Sequence, residues 1–190
     1  MVPVLVAPPL ASPVPTPEMK THLRIDFADD DDHIEGLIAA ATAHLDGYDG
    51  ILGRCLITQT WAISLEGWPW CTFRLPFPQV SSVVLKFLDA SGVEQEVDAS
   101  DYQVVEMPLG TEVRFNAGFE RPQLFDQNVT PVTATMVAGY GGADAVPPPI
   151  KTAIMMMAAH WYEKREAASG GSEMPFGVNA LIAPYRRVGP

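Results

Sequence analysis

The sequence is poor in cysteine, histidine and basic residues, and it contains no long uninterrupted apolar run. Its 190 residues include two cysteines, four histidines and 12 Lys and Arg against 23 Asp and Glu, a formal net charge of −11. So few cations argue against a positive groove for tight, non-specific binding of DNA or RNA. No window approaches the ~18 apolar residues of a membrane span, and the apolar start lacks the basic region of a signal peptide. We therefore expect a soluble protein that is made in a cytoplasm.

The composition nevertheless supports a folded core. Hydrophobic residues make up 47% of the chain and charged residues 18%, which excludes wholesale disorder. Cys55 and Cys71 lie in apolar settings, so the favoured interpretation is two reduced thiols near a core rather than a disulfide.

Prolines dominate the start of the chain, where they occupy positions 3, 8, 9, 13, 15 and 17. Proline disfavours helix interiors, and we expect this segment to have nothing to pair with as a strand. Two interpretations stay open: a disordered tail, or an arm that becomes ordered against a neighbouring subunit.

The period of the apolar residues changes twice along the rest of the chain. After the acidic run at 29–32, helical spacing predicts one helix that stops near Gly53, with its apolar stripe at Ile34, Leu37, Ile38, Ala41, Leu45, Tyr48 and Leu52. A period of two then predicts short strands at 57–66, 83–87, 93–97, 102–106, 111–115 and 131–138, with a hairpin turn at 89–92. Helical spacing returns at 150–162 and at 177–185.

This order predicts an α+β fold, in which a helical frame of N-terminal and C-terminal helices carries an inserted small antiparallel β lobe. We assign residues 1–20 to a flexible, Pro-rich N-terminal arm and 21–54 to the N-terminal helical part. Residues 55–145 form the inserted β lobe, and 146–190 form the C-terminal helical part with a terminal arm.

The sequence offers no catalytic, cofactor or metal motif. The acidic run lacks the EF-hand spacing, because counting from Asp29 its fifth position is His33. His33 and His44 are eleven residues apart on the predicted helix, roughly 16 Å, which is too far to share a metal ion. The glycines of residues 139–142 have neither the dinucleotide nor the P-loop spacing, so a glycine turn is the better interpretation. We expect no enzyme activity, no cofactor and no metal.

An aromatic stretch allows two interpretations. It comprises Trp61, Trp68, Trp70 and Phe73, followed by prolines and Phe77 at 75–78. Such residues pack in cores and turns, and they also concentrate at subunit interfaces.

Taken in order, these elements resemble the head–tail connector (adaptor) proteins of tailed phages, which prophages and gene transfer agents share. Four groups of residues carry the resemblance: 21–26 with 34–41; 56–61 with Trp68-Pro69 and 75–80; 138–141 with Val146-Pro147 and 150–154; and 161–166 with Gly177-Val178, Leu181-Ile182 and 184–186. Together they span about residues 20 to 187. Each motif is short, and the ordered combination is what makes the resemblance specific.

The resemblance implies a structural subunit that assembles with neighbouring copies into a closed ring, of about twelve copies, on the portal protein. DNA would pass through the ring without specific binding, and a tail-side stopper or neck protein would dock beneath it. The location implied is the neck of a virion or particle, assembled in the bacterial cytoplasm, with no membrane partner. Compact connectors of this kind are mainly helical. The β lobe departs from that pattern, and the resemblance does not indicate what the lobe does.

The residues predicted to contact the portal or a subunit lie at the C-terminus. They combine apolar anchors and two cations after a Gly-Gly hinge: Pro175, Phe176, Val178, Leu181, Ile182, Tyr185, Arg186 and Arg187. The alternative is that this segment packs on the helices of its own subunit. At the level of the whole protein, the alternatives are a tail-completion or stopper subunit or another minor virion protein, an enzyme whose site is assembled from distant residues, and a free-standing binding module.

Overall fold

The structure, a computed structural model, describes residues 2–107, 110–164 and 176–187, without the side chain of Phe176. These residues form two compact units. The first comprises the described residues up to Pro9 and those from Thr58 to Gly139, and the second comprises Leu10 to Ile57 together with Tyr140 to Arg187. The larger part of the first unit, Thr58 to Gly139, is therefore inserted in sequence between the two parts of the second, while its residues up to Pro9 precede both parts.

The first unit is built from two antiparallel sheets. Five strands lie in the order β1-β2-β8-β4-β5, and three lie in the order β3-β7-β6. The strands are β1 (Val4–Ala7), β2 (Gln59–Leu65), β3 (Thr72–Arg74), β4 (Val80–Leu88), β5 (Glu94–Glu96), β6 (Tyr102–Met107), β7 (Gly110–Phe115) and β8 (Val132–Ala138).

Alternation along the strands decides which face of the larger sheet is buried. A period of two places Trp61, Ile63 and Leu65 on one face of β2, and these three residues are buried while the residues between them are more exposed. The turn after β4 also follows the prediction: the Asp89 carboxylate accepts hydrogen bonds from the backbone N–H groups of Ser91 and Val93, and Gly92 has φ 77°. The period-two pattern therefore located six of the eight strands in the described part of the chain, and it missed β1 and β3.

The prediction that the start of the chain has no strand to pair with is wrong. Val4–Ala7 forms β1, which pairs antiparallel with β2 and places Leu5 opposite Trp61. The stretch between Pro3 and Pro8 is free of proline, and valine and leucine suit an extended edge strand. Helix α1 (Thr16–Leu23) then begins with Pro17 in its first turn, where proline is tolerated. The chain up to Leu23 therefore contains a strand and a helix.

Helices form the second unit. They are α1, α2 (Asp31–Leu45), α3 (Pro148–Glu163) and α4 (Phe176–Ile182). Their buried faces share one hydrophobic core, to which α2 contributes Ile34, Ile38, Ala41 and Leu45 and α3 contributes Ile150, Ala153, Ile154, Met157 and Ala158. Helical spacing in the sequence predicts one stripe that comprises Ile150, Ala153, Ile154, Met157 and Trp161. The structure differs in one place, because Trp161 is only partly buried and Ala158 is fully buried.

Helix α2 ends at Leu45, well before the predicted stop at Gly53. Asp46 is extended, and its carboxylate accepts a hydrogen bond from the Leu56 N–H at 2.6 Å. Gly47 follows with φ 78°. The chain then turns back, and Leu52 is fully buried although it lies outside the helix. The sequence prediction was wrong here because apolar residues in a tight turn happened to continue the helical period.

The described residues thus have the predicted α+β fold, with small antiparallel sheets and separate helices. Cys55 and Cys71 do not form a disulfide; Cys55 is buried, as expected, whereas Cys71 is exposed rather than near a core. Within residues 2–107, 110–164 and 176–187, no helix has the length and apolar character needed to cross a membrane.

Candidate functional site

The C-terminal segment predicted to be an interface packs on its own chain. Val178 and Ile182, on one face of α4, are both 0% exposed and belong to the same core as Ile154 and Met157 of α3. Leu181 and Tyr185 are partly buried against that core. Val178 and Ile182 therefore cannot touch another protein while α4 stays folded on α3, and their apolar character is explained by packing within the subunit.

The end of this segment is held by the turn that follows α2. The Arg187 N–H donates a hydrogen bond to the Leu52 carbonyl at 3.0 Å. Gly53 has φ 60°, and a Cβ there would lie 3.4 Å from the Arg187 Cβ. The close approach of these two backbones, rather than the end of a helix, explains why glycine suits position 53.

The exposed side of the segment is the part that can meet a partner. It consists of Asn179, Ala180, Ala183, Pro184 and Arg186. Of the six predicted interface residues whose side chains the structure describes, only Arg186 is exposed, while Leu181, Tyr185 and Arg187 are partly buried. Pro175, the Phe176 side chain and the predicted glycine hinge lie outside the described residues.

The acidic run at the start of α2 is used for packing between helices. The Lys20 ammonium lies 2.6 Å from Asp31 Oδ1, and the Tyr162 hydroxyl donates a hydrogen bond to the Asp30 carboxylate. The His33 ring also lies near Tyr162, with 6.0 Å between ring centroids. Among the residues that the structure describes, no group of three or more His, Cys, Asp or Glu side chains could hold a metal ion.

The resolved pKa shifts of the described residues arise from turns and packing of the first unit. The hydrogen bond from the Gln95 side chain, followed by the Val93 N–H, lowers the pKa of Asp89. The Ser100 N–H and hydroxyl lower the pKa of Asp98 in the same way, and the bond to Glu94 raises the pKa of Lys86. Burial raises the pKa of Tyr102. Each shift is explained by burial or by a local structural contact, so none of them indicates a catalytic acid–base pair.

The first unit has an open groove of about 730 Å³ beside β2. Its described lining is Val2, Ser64, Leu65, Glu66, Gly67, Trp68 and Thr130, in which Glu66 is the only ionisable side chain. A single carboxylate without a neighbouring base or second acid in that lining does not form an acid–base pair.

The aromatic stretch divides between the two interpretations left open by the sequence. Trp68 packs in a cluster with Phe87, Phe115 and Phe119 at centroid distances of 5.2, 6.0 and 5.3 Å. Trp70 is 87% exposed, and the Arg121 guanidinium lies 6.0 Å from its ring centroid. Packing against aromatic side chains of its own unit therefore explains Trp68, and within this stretch only Trp70 has the exposure of an interface residue.

Sequence reasoning missed another exposed apolar element, strand β1. Val4, Leu5 and Val6 are 63%, 43% and 58% exposed at the edge of the larger sheet. The available signal was a run of branched apolar residues in a stretch that has no charged side chain before Glu18.

Comparisons with known proteins support the resemblance drawn from the sequence. Residues 17–64 match the model of the phage gp6-like head–tail connector protein family. A chain from the neck of an empty gene transfer agent particle, computed with C6 symmetry, is 29% identical, with a TM-score of 0.80 over 99% of this chain and 96% of that one.

Two further solved structures agree. A chain of the virion of a native gene transfer agent particle is 29% identical with a TM-score of 0.77, and one from the neck of a native particle with C12 symmetry is 27% identical with a TM-score of 0.72. Each covers 99% of this chain and 96% of its own. No curated protein sequence matches. The predicted resemblance to the head–tail connector family is confirmed.

Proposed function

We propose that this chain is a head–tail connector subunit, which joins copies of itself into a ring between the portal and the tail-side neck proteins of a phage or phage-like particle. The observation that carries the proposal is the match, at a TM-score of 0.80 over 99% of the chain, to a protein of a gene transfer agent neck. Because the match covers both units, it includes the β lobe that sets this chain apart from compact, mainly helical connectors.

Cyclic assembly is supported by the symmetry of the similar particles. The necks that contain the similar chains were computed with C6 and C12 symmetry. In a closed ring each copy meets its two neighbours through two different surfaces. A chain with this role acts by shape and contact, so its function is structural rather than catalytic.

The charge of the chain suits a ring through which DNA passes. With a net charge of −11, the subunit repels the phosphate backbone instead of retaining it. Docking on the portal uses the exposed side of the C-terminal segment, with Arg186 as its cation. The ring assembles in the bacterial cytoplasm, and a stopper or other neck protein binds its tail side.

The test is the mass of the purified protein, alone and mixed with its portal, by light scattering. A ring of the protein alone, or a stoichiometric addition to the portal, is the expected result. A protein that remains a single subunit and ignores the portal would overturn the connector role. Binding to a tail-side neck protein in that case would instead support a stopper or tail-completion subunit.

A further inference from the structure

Strand β1 leaves an apolar edge of the larger sheet open. One edge of β1 pairs with β2, and among the described strands none pairs with its other edge. Val4, Leu5 and Val6 remain 63%, 43% and 58% exposed, so their side chains are not covered by the subunit itself. An exposed edge strand offers unpaired N–H and C=O groups to another chain, which proteins ordinarily prevent with charges or a cover.

The sheet face beside β1 is also uncharged. Val4 lies opposite Ala62, Ala62 opposite Thr135, and Thr135 opposite Val84, so these residues form one row across four strands. The neighbouring row begins with Ser64 and Thr133, which are uncharged, and continues with Lys86 on β4 and Glu96 on β5. Both Val4 and Val84 are exposed. A neutral surface therefore extends from β1 across β2 and β8 and reaches β4 at Val84.

This neutrality contrasts with the rest of the chain. No Asp, Glu, Lys or Arg precedes Glu18, although the whole chain carries 23 acidic and 12 basic side chains. Two copies with a net charge of −11 repel each other through most of their surfaces. A neutral apolar surface is where they can approach without that repulsion.

We propose that β1 and the neutral sheet face beside it, defined by Val4, Ala62, Thr135 and Val84, form a contact with a second copy of this chain. The inference rests on the proposed ring and assigns one of its intersubunit surfaces. In a ring the contact is heterologous, so β1 meets a different surface of the neighbouring copy. Pro3 and Pro8 flank the strand and limit it to a short contact, because proline supplies no N–H.

The test compares two substitutions of exposed valine by glutamate. Val4→Glu adds a charge within the proposed surface, whereas Val129→Glu adds the same charge at a valine that is 79% exposed outside the strands of the sheet. Both proteins, and the wild type, are measured by analytical ultracentrifugation alone and with the portal. We expect Val4→Glu to weaken association between copies by about tenfold or more, because an unpaired charge would be buried, and Val129→Glu to behave as wild type.

The outcomes separate this inference from the proposed function. A wild type that forms rings, with Val4→Glu forming them equally well, overturns the β1 contact and leaves the connector role intact. A wild type that neither self-associates nor adds to the portal overturns both.

Hydrogen exchange on the wild-type protein provides a second measurement that needs no variant. The backbone N–H groups of residues 4–7 should exchange more slowly in the ring than in the free subunit. Equal exchange in the two states would overturn the contact even if Val4→Glu failed to fold.

Discussion

The hydroxyl of Tyr102 donates a hydrogen bond to the Val83 carbonyl, with 2.8 Å between the two oxygen atoms. Tyr102 begins β6 of the smaller sheet, and Val83 lies on β4 of the larger sheet. The bond is buried, so it links the two sheets of the first unit where water does not compete.

Removing this hydroxyl should destabilise the protein. We expect Tyr102→Phe to lower the free energy of unfolding by about 1–3 kcal/mol, because the buried Val83 carbonyl loses its side-chain donor. Urea unfolding followed by circular dichroism measures the change. Tyr48→Phe is the matched control, since Tyr48 is 44% exposed and its replacement should change stability little. Equal midpoints for the two variants would show that the bond contributes nothing.

The same tyrosine predicts a pH dependence. Burial, and then the negative charge of Glu96, raise the pKa of Tyr102 above its ordinary value. The unfolded chain therefore ionises this group first, and the stability due to the neutral hydroxyl is lost as pH rises above about 10. The stability difference between wild type and Tyr102→Phe should narrow over that range. A difference that stays constant through alkaline pH would contradict the assignment.

Position 182 tests whether the C-terminal segment belongs to the subunit core. Ile182 is 0% exposed, so Ile182→Ala should cost about 2–5 kcal/mol of unfolding free energy through the cavity that it leaves. Asn179→Ala, at an exposed position of the same helix, should cost far less. Chemical denaturation of both variants provides the comparison. If Ile182→Ala were as stable as Asn179→Ala, α4 would not be packed on α3 in solution.

Arg186 tests portal docking without disturbing the core. Truncating the segment would remove Val178 and Ile182 from the core, so a charge reversal at an exposed residue is the cleaner experiment. Arg186→Glu should weaken portal binding by about tenfold and leave the melting temperature unchanged. Lys164→Glu makes the same charge change at another exposed residue. Equal portal affinity of the two variants would exclude Arg186 from the interface.

Two glycines should respond in opposite directions to replacement by alanine. A Cβ at Gly50 would lie 2.2 Å from the Asp46 carbonyl oxygen, so Gly50→Ala should destabilise the turn after α2. Gly36 lies within α2, and a Cβ there meets nothing within 4 Å. Gly36→Ala should therefore stabilise the protein by about 0.5–1 kcal/mol through helix propensity. Thermal unfolding of both variants measures the sign of each effect.

Elements whose two sides have different environments are recognisable in the sequence, and elements without that contrast are not. The alternation at Trp61 and Ile63, and the helical stripe of α3, were recognisable because each side of these elements has a consistent environment. Strand β1 was missed because a strand exposed on both faces has no alternation to detect. The end of α2 was misplaced because Tyr48 and Leu52 continue the helical period through a turn.

For the candidate interface too, the sequence supplied the type of element and the structure supplied its contacts. The composition of the C-terminal segment identified a helix with an apolar face, and it did not reveal what that face contacts. Only the structure assigned Val178 and Ile182 to the core and left Arg186 exposed.

By itself the sequence determined the succession of helical, strand and helical regions after residue 29, the acidic character of the chain and the resemblance to head–tail connectors, because periodicity, charge and motif order are local or additive properties. The tertiary structure alone decided that β1 pairs with β2, that Tyr102 reaches Val83, and which side of α4 is covered. These outcomes depend on contacts between residues far apart in the chain. Such contacts form only when the whole core closes, and no local pattern encodes them.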